Sequence, residues 1–118
     1  MLPAERAFSL IGALPASIRV GPFDFEILKM DPMRASAERK FGFFSAVEQQ
    51  IAIQADMATP FKAADTLIHE INHAIFWAYG IEDADAEERT VSALATAWVQ
   101  VYRDNPWLLE WIGAAVKS

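Results

Sequence analysis

The sequence predicts a single α+β domain: a small, mostly antiparallel sheet of three or four strands, packed beside about three helices. Two observations support this prediction. Apolar and polar residues alternate with a period of two at several places between residues 18 and 54, which is typical of half-buried strands. From residue 59 onward, apolar residues recur at helical spacing. The length of 118 residues fits one domain, which we expect to span residues 1–118.

Two pairs of strands are expected in the first half of the chain. Residues 18–20 and 23–30 alternate, and Gly21-Pro22 separates them as a turn. Residues 41–46 and 50–54 form the second pair, which the short connection between them closes into a hairpin.

In two segments the apolar residues recur with neither the period of a strand nor that of a helix. Residues 1–17 are expected to be an N-terminal extension, with either a short helix opened by Pro3 or an ordered arm at residues 3–13. Residues 31–40 are polar, carry Pro32 and predict a loop.

Three helices are expected in the second half. Thr59-Pro60 combines an N-cap residue with proline at the first helical position, and Gly80 is a natural stop. A second helix runs from about residue 84 to 103, and Asn105-Pro106 repeats the cap-plus-proline signal of a third. The residues expected to face the core are Phe61, Ala64, Ile68, Ile71 and Ile75, then Val91, Leu94, Ala95, Trp98 and Val101 or Tyr102, then Leu108, Trp111, Ile112 and Ala115.

Composition and charge exclude several classes of function. A net charge of −6 disfavours nucleic acid as a partner, because phosphate binding needs a basic surface. The chain has no cysteine, which excludes disulfides, thiolate zinc sites and cysteine nucleophiles and fits a reducing cytoplasm. No apolar run reaches the length of about eighteen residues that a membrane span requires, and nothing resembles a signal peptide. We therefore expect a cytoplasmic protein without a membrane partner.

The chemistry-bearing motif is His69-Glu70-Ile71-Asn72-His73, in the middle of the first long predicted helix, and it contains both histidines of the chain. Residues four apart on a helix project from one face, so the two imidazoles can bind one zinc ion. Glu70 stands beside that position, where a carboxylate can take the proton of a zinc-bound water as it attacks a carbonyl. The structural alternative is a pair of helix histidines that are bonded to neighbours or solvated.

A third protein ligand has to be a carboxylate, because no other histidine and no cysteine exists. The metzincin pattern would need glycine and histidine where this chain has Phe76 and Tyr79. Residues 82–88 hold five of the 16 acids and open the second helix. Helical spacing turns Glu87 and Glu88 both partly inward, with a slight preference for Glu88. The other acids of the segment are expected to be solvated and to favour the helix N-terminus: Glu82, Asp83 and Asp85.

The chain from Thr66 to Asn105 resembles small zincin-like metallopeptidases encoded by phages and prophages. The resemblance rests on residues 66–75 (TLIHEINHAI), residues 87–95 (EERTVSALA) and residues 103–106 (RDNP). It is more distantly similar to gluzincin-type peptidases that cleave phage-immunity repressors, in which a glutamate begins an E-x-x-A-N-x-F-A helix. Residues 88–95 depart from that pattern, with valine and serine at the Ala-Asn pair and leucine at the phenylalanine.

This resemblance implies a minimal zincin-like fold with three zinc ligands, His69, His73 and Glu88, and with Glu70 as the catalytic base. Glu87 is the alternative third ligand. The implied activity is hydrolysis of peptide bonds by Glu-assisted attack of a zinc-bound water.

The expected partner is a peptide or protein substrate, which such peptidases bind along an edge strand; residues 50–54 are the expected edge. The oxyanion needs a cationic or hydrogen-bonding group, and the spacing does not choose among Tyr79, Tyr102 and Arg103. The alternative function is a non-catalytic, zinc-stabilised regulatory or phage accessory binding module.

Overall fold

The computed structural model describes residues 1–31, 41–81 and 87–117, which form four helices and a four-stranded sheet. The helices are α1 (Pro3–Gly12), α2 (Pro60–Ala78), α3 (Glu87–Asp104) and α4 (Trp107–Val116). The strands are β1 (Ser17–Val20), β2 (Phe23–Met30), β3 (Gly42–Ser45) and β4 (Gln50–Gln54). This confirms the α+β class. In α3 the description covers the backbone throughout but leaves out the side chains of Glu87, Glu88, Arg89, Val91, Ser92 and Ala95.

The sheet is mixed, with the strand order β1-β2-β4-β3. The predicted hairpins are both present, since β1 pairs antiparallel with β2 and β3 pairs antiparallel with β4. Gly21 has φ of +59° and begins the two-residue loop of the first hairpin, a position where glycine avoids steric strain. The two hairpins join through β2 and β4, which run parallel. Alternation reports which residues are buried and not the direction of the neighbouring strand, so the parallel pairing was not predicted.

The expectation that residues 50–54 form an exposed edge is wrong, because β4 is an inner strand. Ile51 pairs with Ile27 on one side and with Phe44 on the other. Ile51, Ala52 and Ile53 are each at most 1% exposed, so both faces of the strand are covered. A strand that alternates Ile-Ala-Ile looks half-buried in sequence because alanine is small, although it packs on both sides. Among the described strands, β3 and β1 form the two edges.

The hydrophobic core lies between the sheet and the helices, and it includes the N-terminal segment. In α1, Ala7, Leu10 and Ile11 are buried, and the indole N–H of Trp111 in α4 donates to the carbonyl of Leu10 at 2.7 Å. Residues 1–17, expected as an extension, therefore contribute a helix to the common core. None of the helices in the described part of the chain is both long and apolar enough to cross a membrane.

The buried face of α2 differs from the predicted one. Ala64, Ile71 and Ile75 are buried as expected, but Phe61 is 73% exposed and Ile68 is only partly buried. The other residues buried along α2 are Pro60, Ala63, Thr66, Leu67, Glu70 and Ala74. Apolar residues stand at so many positions of this helix that the periodicity permits more than one stripe, and the observed one combines large residues such as Leu67 and Ile71 with several alanines.

In the other two predicted helices, the described residues that were expected to face the core are buried or partly buried. In α4, Leu108, Trp111 and Ala115 are buried and Ile112 is partly buried. In α3, Val101 is buried, together with Ala97, which the prediction left out. The partly buried members of its predicted stripe are Leu94, Trp98 and Tyr102.

Helix starts were predicted correctly at α2 and incorrectly at α4. The hydroxyl of Thr59 accepts a hydrogen bond from the Lys62 N–H at 3.1 Å, which confirms the predicted N-cap. At α4, however, the N-cap residue is Pro106 and no side chain caps the helix. The side chain of Asn105 instead bonds to β1, where Arg19 supplies both a donor and an acceptor.

Residues 32–40 of the loop predicted at residues 31–40, and the acids Glu82, Asp83 and Asp85, lie outside the described residues.

Candidate metal centre

The two histidines lie one turn apart on the exposed side of α2, and their rings converge. The Nε2 atoms of His69 and His73 are 3.2 Å apart. The ring centroids are 4.8 Å apart, and the ring planes are inclined at 79°. Both side chains therefore present Nε2 to the same point in space, as the spacing of four residues predicted.

This geometry fits two ligands of one zinc ion. With Zn–N bonds of about 2.0–2.1 Å and tetrahedral angles, two ligand nitrogens stand about 3.3 Å apart. The observed separation of 3.2 Å is close to that value. The same separation also allows one Nε2–H to donate to the other ring when no metal is bound.

Glu70 faces the sheet from the same turn of α2 and is only 5% exposed. The candidate ligand atoms of His69, Glu70 and His73 all lie within 4.8 Å of one another. A carboxylate at this distance is close enough to exchange a proton with a group held between the histidines.

Gly42 explains how β3 reaches Glu70. A Cβ atom at Gly42 would stand 2.8 Å from the carbonyl oxygen of Ala52, 3.0 Å from Thr66 Cγ2 and 3.3 Å from Glu70 Cγ. Real Cβ atoms essentially never stand within 3.0 Å of such an atom. The missing side chain therefore lets β3 pack directly against the turn of α2 that carries the candidate base.

A stacked aromatic ring flanks the second histidine. Phe44 of β3 lies nearly parallel to the His73 ring, at 18° and 6.5 Å between centroids. Phe44 also packs against Phe25 and Trp77, at 5.6 Å and 6.4 Å. This cluster holds β3 beside His73. The alternating pattern of the strand gave no signal for Phe44 in this role, because the contact depends on which strand lies next to α2.

Two cavities open on either side of the histidines. One, of about 210 Å³, lies between α2 and the start of β3; its lining residues are Phe41, Gly42, Lys62, Asp65, Thr66, His69 and Glu70. The other, of about 400 Å³, lies between α2 and α3; its lining residues are His69, Asn72, His73, Phe76 and Leu94. A ligand bound between the histidines can thus extend in two directions.

The choice of third ligand between Glu88 and Glu87 stays a prediction, since their side chains fall outside the described part of the chain. The helix that carries both acids does reach the site. Leu94 of α3 lines the larger cavity, and the indole N–H of Trp98 donates to Asn72 Oδ1 at 3.1 Å.

The three residues considered for the oxyanion have other contacts. The hydroxyl of Tyr79 donates to Gln100 Oε1 at 2.8 Å. Tyr102 packs on Trp98 with 5.4 Å between ring centroids, and Arg103 pairs with Asp104 at 3.3 Å. None of the three lines either cavity beside the histidines.

Comparisons with protein-family models, with curated proteins and with solved structures find no significant match for this chain. The resemblance to zincin-like peptidases therefore stays a prediction, based on the residues quoted for it. The function has to be argued from the geometry of the site.

Proposed function

We propose that the protein is a zinc-dependent metallopeptidase of the zincin-like type. His69 and His73 hold the metal, and Glu70 is the general base. The observation that supports this most directly is the convergence of the three side chains, whose candidate ligand atoms lie within 4.8 Å of one another on a single turn of helix. Two histidines that are solvated, or bonded only to each other, need no buried carboxylate beside them.

The roles of the side chains follow from their positions. Zinc, when bound, polarises a carbonyl oxygen and makes a neighbouring water a stronger nucleophile. Glu70 accepts a proton from the water that attacks the amide carbon and delivers it to the leaving nitrogen as the C–N bond breaks. Because His69 and His73 are exposed, their side of α2 is open to a polypeptide.

We propose that the peptide substrate binds along β3, in place of the strand expected from the sequence. β3 is an edge strand of the described sheet, which is the position at which peptides are added as a further strand. It begins with Gly42 against Glu70 and continues with Phe44 against His73. A peptide paired with this edge would run past the base and a metal ligand in turn.

The third ligand and the compartment complete the proposal. The resemblance favours Glu88 as the third ligand, with Glu87 as the alternative. Either residue would link α3 to α2 through the bound metal. We expect the protein to act in the cytoplasm of a bacterium or of a phage-infected host, where a chain without cysteine loses nothing to the reducing conditions.

Metal analysis of the wild type and of Glu70→Gln tests the proposal. Glutamine keeps the size of the side chain but is not a base, so both proteins should carry about one zinc ion per chain. Only the wild type should cleave unfolded casein at an appreciable rate, because loss of a general base lowers turnover by about 10²- to 10⁴-fold.

Two results would contradict it in different ways. If the wild type carries no zinc, and His69→Ala matches it in stability and casein cleavage, the proposed metal centre is contradicted. Zinc in both proteins with cleavage by neither leaves the alternative, a zinc-stabilised regulatory or phage accessory binding module.

A further inference from the structure

Asn72 lies inside the zinc-binding motif, and a hydrogen bond determines how its carboxamide is oriented. The indole N–H of Trp98 donates to Asn72 Oδ1 at 3.1 Å. An indole nitrogen can only donate, so the atom that faces Trp98 has to be the oxygen. The NH₂ group, Nδ2, therefore occupies the opposite end of the carboxamide.

The side chain that carries this NH₂ group lines the cavity between α2 and α3. Asn72 lines that cavity together with both histidines. No described residue accepts a hydrogen bond from Nδ2, and no fully buried side-chain polar atom of the described residues lacks a partner. Among the described residues Nδ2 has no acceptor, so it is the atom of Asn72 that can donate to a ligand of the cavity.

The position of Asn72 on α2 complements that of Glu70. With 3.6 residues per turn, positions two apart stand about 160° from each other around the helix axis. Glu70 faces β3, and Asn72 faces α3 through Trp98. A peptide bond held at the histidines thus has the carboxylate on one side and an amide donor on the other.

We propose that Asn72 is a substrate-binding residue whose Nδ2 donates a hydrogen bond to a peptide oxygen in the cavity between α2 and α3, and that Trp98 is the positioning residue that holds it. This inference rests on the proposed peptidase function. It supplies the hydrogen-bond donor that amide hydrolysis requires where negative charge develops on oxygen. Tyr79, Tyr102 and Arg103, the candidates from the sequence, line neither cavity.

The variant Asn72→Asp separates binding of substrate from a purely structural role. Aspartate has nearly the same shape and still accepts the Trp98 N–H, but its carboxylate donates nothing. We expect the melting temperature and the zinc content to stay at the wild-type values. The kcat/KM for a fluorogenic peptide should fall by about 10²- to 10³-fold, as when an oxyanion donor is removed.

A binding measurement gives a readout that does not depend on turnover. A phosphinic peptide places tetrahedral oxygens where the substrate oxygen would be, whereas acetohydroxamic acid binds through the metal and needs no amide donor. By calorimetry on the zinc-loaded protein, Asn72→Asp should bind the phosphinic peptide at least about tenfold more weakly. Its affinity for acetohydroxamic acid should match that of the wild type, which excludes simple repulsion by the new charge.

Trp98→Phe tests the positioning role. Phenylalanine keeps an aromatic ring but lacks the N–H, so the carboxamide is free to turn. Its kcat/KM should fall less than that of Asn72→Asp, and the double variant should be no worse than Asn72→Asp alone, because both changes act on one group.

The outcomes distinguish this inference from the function on which it rests. An active wild type with unchanged phosphinic-peptide affinity and kcat/KM in Asn72→Asp contradicts the assignment of Asn72 only. Equal losses of affinity for the phosphinic peptide and for acetohydroxamic acid also contradict it. A zinc-loaded wild type that cleaves nothing contradicts the peptidase function, and this inference falls with it.

Discussion

At the scale of single residues, Gly42 shows how one missing side chain shapes the candidate site. β3 and α2 approach each other closely at this glycine, where an added Cβ would stand 3.0 Å from Thr66 Cγ2 and 3.3 Å from Glu70 Cγ. The glycine is required by this close approach of two elements, since its φ is not in the left-handed region. Any larger residue has to move the strand, the base or both.

Gly42→Ala should therefore lower both stability and activity. The added methyl would meet the backbone oxygen of Ala52 at 2.8 Å, which cannot rotate away. Overpacking of this kind costs about 1–3 kcal/mol, measurable by urea denaturation, and a displaced Glu70 should reduce casein cleavage more than zinc binding.

The matched control is Gly113→Ala in the middle of α4, where an added Cβ meets nothing within 4 Å. The free energy of unfolding of that variant should rise by up to about 1 kcal/mol, because alanine has a higher helix propensity than glycine. If both glycine variants are equally stable, the close approach at Gly42 has no energetic consequence.

Substitution of the acids one at a time identifies the third ligand. We expect Glu88→Ala to weaken zinc binding by more than about a hundredfold, because a lost ligand costs more than a lost neighbour of a ligand. Asp85→Ala should have little effect. If Glu87→Ala loses more zinc affinity than Glu88→Ala, Glu87 is the third ligand. Equal losses of zinc affinity in Glu88→Ala and Asp85→Ala would contradict the assignment of Glu88.

At the scale of elements, the C-terminal end of α3 is fastened to the β1–β2 hairpin by two amide side chains. Asn105 is 4% exposed and bonds to both backbone groups of Arg19, accepting from N–H at 3.0 Å and donating to the carbonyl at 2.8 Å. It also donates to the carbonyl of Val101 at 2.8 Å. This explains why the predicted cap of α4 is absent: the side chain serves a distant strand.

Gln100 makes the second connection, one turn and a half earlier in α3. Its Oε1 accepts from the Gly21 N–H and from the Tyr79 hydroxyl, both at 2.8 Å. Its amide donates to Asp104, and this hydrogen bond, together with Arg103, lowers the pKa of the Asp104 carboxyl. The hairpin, the end of α2 and the end of α3 thus meet at one side chain.

Asn105→Ala should destabilise the protein without touching the metal centre. The substitution leaves the N–H and the carbonyl of Arg19 without their side-chain partner in a part-buried place, which costs about 2–3 kcal/mol, whereas the Val101 carbonyl keeps its bond to the backbone N–H of residue 105. Zinc affinity should stay at the wild-type value.

The comparison variant is Arg103→Ala, whose side chain is 72% exposed. It should change the unfolding free energy by less than about 0.5 kcal/mol in the same urea titration. A loss in Asn105→Ala no larger than this would show that the Asn105 hydrogen bonds do not hold α3 in place.

At the scale of the whole molecule, the proposed metal joins the helix with the histidines to the helix with the acids. A ligand that binds only the native state raises the free energy of unfolding by about 2.7 kcal/mol when its free concentration is 100 times its dissociation constant. For a domain of this size the melting temperature should rise on the order of 10 °C. Zinc addition followed by EDTA, monitored by circular dichroism, measures the rise and its reversal.

Two variants make this prediction specific. His73→Ala should lose the rise because it lacks a ligand, whereas Glu70→Gln should keep it because Glu70 is proposed as base and not as ligand. An equal response of the wild type and His73→Ala would mean that zinc binds elsewhere.

Features that depend on neighbouring residues in the chain were predicted well. The hairpin at Gly21, the cap at Thr59 and the convergence of His69 and His73 all follow from spacings of a few residues. The edge strand and the role of Asn105 were predicted incorrectly, and the buried stripe of α2 was predicted only in part. Each of these depends on a partner remote in sequence: β2 for β4, the sheet for α2, and β1 for Asn105.

The sequence by itself determined the helix that carries the candidate site and the meeting of its two imidazoles, because four residues of α-helix set that distance whatever surrounds them. Only the tertiary structure decided that β3 and not β4 lies beside Glu70, and that Trp98 of α3 donates to the amide oxygen of Asn72. The physical reason is that strand order and side-chain orientation are set by burial and hydrogen bonding between distant segments, which a local pattern of apolar and polar residues does not encode.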